Sequence, residues 1–217
     1  MIFRQESNKM DVYEAIAKRK TIRDFEDRQI PTDMLYKILN AGLQAPTNDH
    51  LRRWEFILVQ DKEKRQAMVS QIHATRTTEG ATKIVDKWGL VEPSQRQVYI
   101  DAIPKQQSML LECSALILPC FYISGPILKP ESLSSLNHFV SIWCCIENIL
   151  VAAASEGIFG VTRIPFENER KFLKRFFKIP AGYEVPCYLA LGYPKPGAER
   201  IKQFEVRLED KIHVDGW

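Results

Sequence analysis

The 217 residues contain no CxxC pair, no HxxxH or HExxH spacing and no GxGxxG run. The first two absences leave no metal site to expect, and the third argues against a built-in dinucleotide fold. Ser124-Gly125-Pro126 is not a nucleophile elbow, and no Ser/His/Asp order stands out. Cysteine is scarce and odd in number: Cys113, Cys120, Cys144, Cys145 and Cys187 all lie in apolar runs. That pattern speaks against a disulfide scaffold and for buried free thiols in a reducing cytoplasm. A large excess of one charge is missing too. Thirty Lys and Arg against 27 Asp and Glu leave +3, spread along the chain, so no nucleic-acid partner is expected, although an anionic ligand is tolerated. No uninterrupted apolar run reaches the ~18 residues of a membrane span. The nearest, Leu133 to Ser155, is broken by Asn137, His138, Glu147 and Asn148 and reads as a core helix, so no membrane partner is expected. The opening MIFRQESNKMD has no apolar stretch of the kind a secretory leader carries.

What is present is ordinary for a folded chain: 45% hydrophobic and 26% charged residues, with no repeat and no visible linker, so a single domain over 1–217 is expected. Asp11 caps a helix to about Arg19, and Thr21 to Phe25 is extended. Pro31-Thr32-Asp33 opens a helix with Leu35, Ile38, Leu39 and Leu43 on one stripe. Trp54 to Val59 reads as a strand, followed by a helix from Asp61 to about Ile72. Residues 74–112 are polar and helical in pieces, with breaks at Gly80, Gly89 and Pro93, and suit a cover over a site. Ser114 to Ile123 is a strand and Leu133 to Ser155 a helix ended by Gly157. Then follow a strand over Ile158–Ile164, a helix over Glu167–Phe177, a strand over Glu184–Leu191 and a charged arm from about 195 to 217. Several connections are too short for parallel crossovers, so the expected class is α+β with a mainly antiparallel central sheet flanked by helices.

Two clusters carry chemistry. Lys18-Arg19-Lys20-Thr21-Ile22-Arg23 puts four cations and a hydroxyl where a helix gives way to extended chain. Guanidinium forks and a short hydroxyl donor suit a phosphate dianion, but basic residues also simply answer a helix C-terminus. The second cluster, Pro46-Thr47-Asn48-Asp49-His50 with Arg52-Arg53-Trp54, is a polar loop leading into a strand. It would present donors and acceptors to a planar heterocycle, or it is a plain helix-stop turn.

Taken in order, these segments resemble the nitroreductase family. Arg19-Lys20-Thr21-Ile22-Arg23-Asp24-Phe25, then AGLQAPTNDHLRRWEFILV, is similar to that family's N-terminal signature. Further on, Glu156-Gly157-Ile158-Phe159-Gly160, Ile179-Pro180-Ala181-Gly182-Tyr183, Leu189-Ala190-Leu191-Gly192-Tyr193-Pro194 and the tail from Leu208-Glu209-Asp210 to His213 and Trp217 look similar as well. The resemblance spans nearly the whole chain except about 74–112.

It implies a nitroreductase-like fold and bound FMN. Arg19, Lys20 and Thr21 would contact the phosphate and ribityl chain, and Arg23 would add a cation. Pro46, Thr47 and Asn48 would lie along the isoalloxazine, and Arg200 or Lys202 would return to the phosphate. It also implies an intertwined homodimer with flavin at the interface, NADH or NADPH as transient reductant, and a small acceptor such as a nitroaromatic or quinone. The chemistry belongs to the cofactor, so no general acid or base is nominated. There are two departures from the family: its loop Asn is His50, and its Gln-Pro is Arg52-Arg53. His50 either replaces the Asn hydrogen bond or marks an altered site, and Arg52 would bring positive charge toward the flavin N1–C2 edge. Competing functions are a dehalogenase-like or flavin-consuming enzyme on the same scaffold and a non-catalytic flavin-binding protein.

Overall fold

The computed structural model describes residues 10–198 and 204–217. Their contacts group into two units, one within Met1–His73 and Gln106–Glu199, the other within Ala74–Lys105 and Arg200–Trp217.

The first unit is built on an antiparallel sheet of β1 (Trp54–Leu58), β2 (Ala115–Tyr122), β3 (Phe159–Arg163), β4 (Tyr183–Glu184) and β5 (Tyr188–Gly192). Its order is β1-β2-β5-β3, with β4 also on β2. Every strand pair is antiparallel, as the sequence implied. β2 shows why the sheet needs cover on both faces. Its apolar run has no polar side to turn outward. Ala115, Ile117 and Phe121 join one core cluster, while Leu116, Leu118 and Cys120 join another. Alternate residues of a strand point to opposite faces, so these are the two sides of one layer.

The helices follow that division. α2 (Thr32–Gly42) and α7 (Asn137–Ser155) bury Leu35, Ile38, Ile142, Cys145, Ile146 and Ile149 in the first cluster. α3 (Lys62–Val69), α6 (Ser108–Glu112) and α8 (Glu167–Phe176) bury Met68, Met109, Leu110 and Leu173 in the second. α1 (Val12–Lys18) starts at Asp11, whose carboxylate accepts from the Glu14 amide at 2.9 Å. Asp61 caps α3 in the same way. Leu133–Leu136 form a 3-10 turn ahead of α7, and Gly157 ends α7 at φ +71, a backbone state that only glycine adopts without strain. The 23-residue stretch Leu133–Ser155 is long and apolar enough to cross a membrane by length and composition, yet its Ile142–Ala153 stripe packs into the first cluster.

The sequence expectation of one strand over 184–191 is corrected to two. On β2, Ile117 and Phe121 are four residues apart, whereas their partners Leu189 and Glu184 are five apart, which makes Val185–Cys187 a bulge. Two prolines mark it: Pro186 lies inside the segment, and Pro119 stands across from it on β2. Even-numbered β2 residues bond to the β1 side, as Tyr122 N does to Arg53 O, whereas Ile123 N turns to Gly182 O. Position 119 therefore faces the bulge, and proline has no N–H to offer there.

In the second unit, α4 (Thr78–Lys87) and α5 (Pro93–Ala102) form a helical pair. Trp88 meets Tyr99 edge-on at 5.4 Å, and Arg96 pairs with Asp86 at 2.6 Å. Gly80 does not break the chain: its amide is capped by the Thr77 hydroxyl at 3.1 Å inside the first turn of α4. Pro93 likewise starts α5, where a missing N–H costs nothing. Gly89, at φ +68, is the true break.

All five cysteines are free, but only Cys113, Cys120, Cys145 and Cys187 are buried. Cys144 is exposed, correcting the expectation of five interior thiols. It lies off the helical stripe that carries Ile142, Cys145, Ile146 and Ile149 inward.

Candidate functional site

The basic box leaves α1 at Arg19 and runs beside β3. Thr21 bridges Gly160 in parallel, and the Ile22 amide donates to the Gly160 carbonyl at 3.2 Å. Gly160 has to lack a side chain there, because a Cβ would meet the Ala190 carbonyl oxygen at 2.6 Å. Phe25, fully buried, bridges Pro194 and closes the segment against the end of β5. These anchors leave Lys20 and Thr21 exposed and Arg19 and Arg23 half-buried. Arg19 is not solitary: its Nε lies 3.1 Å from Glu147 Oε1 on α7. The sequence had marked Glu147 only as an interruption of an apolar run, and that interruption was the signal for a partner.

The polar loop is organised around Asp49. Its Oδ1 accepts from Thr47 Oγ1 at 3.3 Å and the Leu51 amide at 3.1 Å, and its Oδ2 from Arg53 Nη2 at 2.8 Å. The Arg53 hydrogen bond, helped by Leu51 and Thr47, holds the Asp49 carboxyl at about 2, against an ordinary aspartate value of 3.8. Arg53 stacks on Tyr122 at 4.1 Å, and its Nε is buried without a partner. Neither Asp49 nor Arg53 had been singled out for this role, since an ion pair across an irregular loop leaves no periodic trace in sequence. Within the loop His50 (φ 57) and Arg52 (φ 45) are both left-handed, which is uncommon for residues with a Cβ. Both side chains are exposed, as are Pro46 and Asn48. Asn48 Oδ1 accepts from Asn137 Nδ2 at 3.3 Å, so the loop rests on the first turn of α7.

Box and loop therefore touch the same helix, at Glu147 and at Asn137. The ten helical steps from Asn137 to Glu147 span about 15 Å. Arg200 and Lys202 lie outside the described residues. Beside the Arg19–Glu147 pair, a groove of about 670 Å³ runs between α1, the end of α2 and α7, lined by Val12, Ile16, Gln44, Asn148 and Val151 among others. Among the described residues no group of three or more His, Cys, Asp or Glu is placed to hold a metal ion.

The model of the nitroreductase family matches residues 16–193, which take in the box, the polar loop and every strand of the sheet. The chain belongs to the nitroreductase family. A protein of Methanothermobacter thermautotrophicus, provisionally named an NADH dehydrogenase/NAD(P)H nitroreductase, is 27% identical across 97% of this chain and 90% of its own length. An iodotyrosine deiodinase of Nematostella vectensis is 22% identical over 87% of this nitroreductase-family chain and 69% of its own. A crystal structure of oxidised iodotyrosine deiodinase bound to FMN and 3-iodo-L-tyrosine superposes with a TM-score of 0.70 at 19% identity, covering 95% of this chain and 100% of that one. The likeness in that case is one of fold.

Proposed function

We propose that this nitroreductase-family protein is an FMN-dependent oxidoreductase. It takes electrons from NADH or NADPH and passes them to a small acceptor such as a nitroaromatic or a quinone. The observation that carries this reading is the pair of polar clusters on α7, one with the donor set of a phosphate site and one a polar loop. The first fits FMN: an exposed ammonium and hydroxyl at Lys20 and Thr21 lie between the half-buried Arg19 and Arg23 in the chain, a donor set that suits a phosphate dianion.

When bound, the flavin supplies hydride acceptance and electron return, and the chain supplies binding and tuning. Arg19, Lys20, Thr21 and Arg23 would hold the phosphate and ribityl end, and Arg200 or Lys202, outside the described residues, would supply a further cation. Pro46, Thr47, Asn48 and His50 flank the ring, and the Asp49–Arg53 pair keeps that loop in one shape. Arg52, exposed in the loop, would add positive charge near a bound ring.

The reading includes a homodimer, with the box of one subunit meeting the loop of its partner. The exposed Val12, Tyr13 and Ile16 beside the α1–α7 groove are the apolar surface that such a dimer would cover. A cytoplasmic setting suits five unpaired thiols.

FMN titration tests the assignment. Arg19→Ala is expected to loosen FMN roughly tenfold, the usual weight of one charge-assisted bond, while the melting temperature holds. Equal affinity in that variant would remove Arg19 from the phosphate site. The deiodinase relative supports a second reading, reductive dehalogenation of a halogenated aromatic acceptor. Turnover of halotyrosines set against that of quinones and nitroaromatics separates the two.

A further inference from the structure

A second cleft, of about 510 Å³, lies at the other end of β1 from the Pro46–Arg53 loop. Leu58, Val59 and Gln60 line it, so it begins about 13 Å along the strand from Trp54. It is also three strand spacings, roughly 14 Å, across the sheet from β3, against which Thr21 is held. None of its lining residues belongs to the box or the polar loop.

The lining has two characters. Ile30, Leu35, Leu58 and Leu116 contribute apolar wall, and the charged lining is Lys62 and Arg65, with no carboxylate. Arg65 donates from Nη1 to the carbonyls of Leu111 (3.3 Å) and Cys113 (2.8 Å) and from Nη2 to that of Val59 (3.0 Å). A guanidinium has five N–H donors. Three bonds leave two unused, one of them the buried Nε. Neutral carbonyls fix the orientation of a cation without neutralising it. Among the described residues neither Arg65 nor Lys62 takes part in an ion pair. A partly desolvated guanidinium without a counter-charge is an unfavourable arrangement that an anion relieves.

The volume sets the size of the occupant. A water molecule takes about 30 Å³, so an inorganic ion would fill a small part of this cleft. Its volume falls in the range of small-molecule pockets. We propose that the cleft is a binding site for a small organic anion, a carboxylate or phosphate monoester on an apolar body. The oxyanion lies between Lys62 and Arg65, and the body rests on Ile30, Leu35, Leu58 and Leu116.

The test titrates the full-length protein as purified, labelled with 15N, with benzoate, phenyl phosphate and inorganic phosphate at constant ionic strength. Saturable shifts of the Ile30, Thr32 and Ser114 amides are expected with benzoate or phenyl phosphate, and the tighter of the two names the headgroup. Lys62→Ala should weaken that binding roughly tenfold, and Arg65→Met should abolish it. Should Arg65→Met fail to fold, Lys62→Glu serves instead, with loss of binding expected. Shifts that never saturate, or affinities unchanged in the Lys62 variants, would overturn the site. Inorganic phosphate binding as tightly as phenyl phosphate would reduce it to an adventitious ion only. Flavin absorbance recorded in the same samples reports on the FMN reading separately, since the two sites share no residue.

Discussion

Arg53 lies over Tyr122, its guanidinium carbon 4.1 Å from the ring centre, while the same group donates to Asp49 at 2.8 Å. One side chain thus joins the loop before β1 to the end of β2, at a position where the family pattern has proline. Arg53→Ala is expected to cost roughly 1 kcal/mol from the lost cation–π contact, read in urea unfolding. It should also speed hydrogen exchange at the Leu51 amide, whose acceptor is the Asp49 carboxylate. Unaltered exchange at Leu51 would mean that the loop holds its shape without Arg53.

The same pair fixes a pH dependence. The Asp49 carboxyl is held at about 2, below its ordinary 3.8, chiefly by Arg53. A depressed folded value means that the stabilisation is complete above the unfolded value and is lost as pH falls through the folded one. The loop should therefore stay closed down to about pH 4 and open between there and pH 2. Carbon-detected NMR of the Asp49 carboxyl should show this midpoint, and Arg53→Ala should raise it toward 3.8.

Much of the fold was legible in the sequence because its signals are local. Asp11 and Asp61 cap helices through their own neighbours, and Gly157 stops α7 by its own φ. The β4–β5 break had a local signal in Pro186, which cannot donate to a ladder, whereas the matching loss of a donor at Pro119 shows only once the two strands are paired. The exposure of Cys144 could have been read: it is one residue out of phase with the Cys145 stripe. In the candidate site the box and loop were visible as residue types. Their separate contacts with Glu147 and Asn137 were not, since those depend on where α7 packs.

Glu147 shares the cation that the phosphate would use. Its pair with Arg19 is open to solvent on the carboxylate side and contributes little to stability. Glu147→Gln should therefore leave the melting temperature nearly unchanged while tightening FMN, the opposite of Arg19→Ala. Weaker FMN in Glu147→Gln would show that the carboxylate helps to position Arg19 rather than competing for it.

The buried pair of Arg163 and Glu169 behaves differently. Arg163 meets Glu169 through both Nη atoms, at 2.5 and 2.9 Å, and donates through Nε to Gln106, while Tyr188 donates to the same carboxylate at 3.3 Å. Removing the carboxylate alone strands a buried guanidinium, so Glu169→Ala should cost about 3–5 kcal/mol in urea unfolding. Replacing both residues together, as in Arg163→Met with Glu169→Leu, should cost much less. Equal losses in the single and double variants would deny the coupling.

Thiol chemistry checks the packing of α7. Burial pushes the Cys113, Cys120 and Cys145 thiols up to about 12 and raises that of Cys187 as well. At pH 8 one thiol, Cys144, should react promptly with an aromatic disulfide reagent, and the other four only in denaturant. Loss of the fast phase in Cys144→Ser assigns it, and protection of Cys144 at high protein concentration would favour the proposed dimer.

The central claim is that bound FMN is turned over by a nicotinamide. An absorbance spectrum of the protein reconstituted with FMN, followed by anaerobic titration with NADH and then NADPH, tests it most directly. The account predicts a flavin band that bleaches with about one equivalent of reductant and returns when a quinone is added, as a two-electron carrier requires. A protein that retains no FMN, or one whose flavin band persists under both nucleotides, would contradict it.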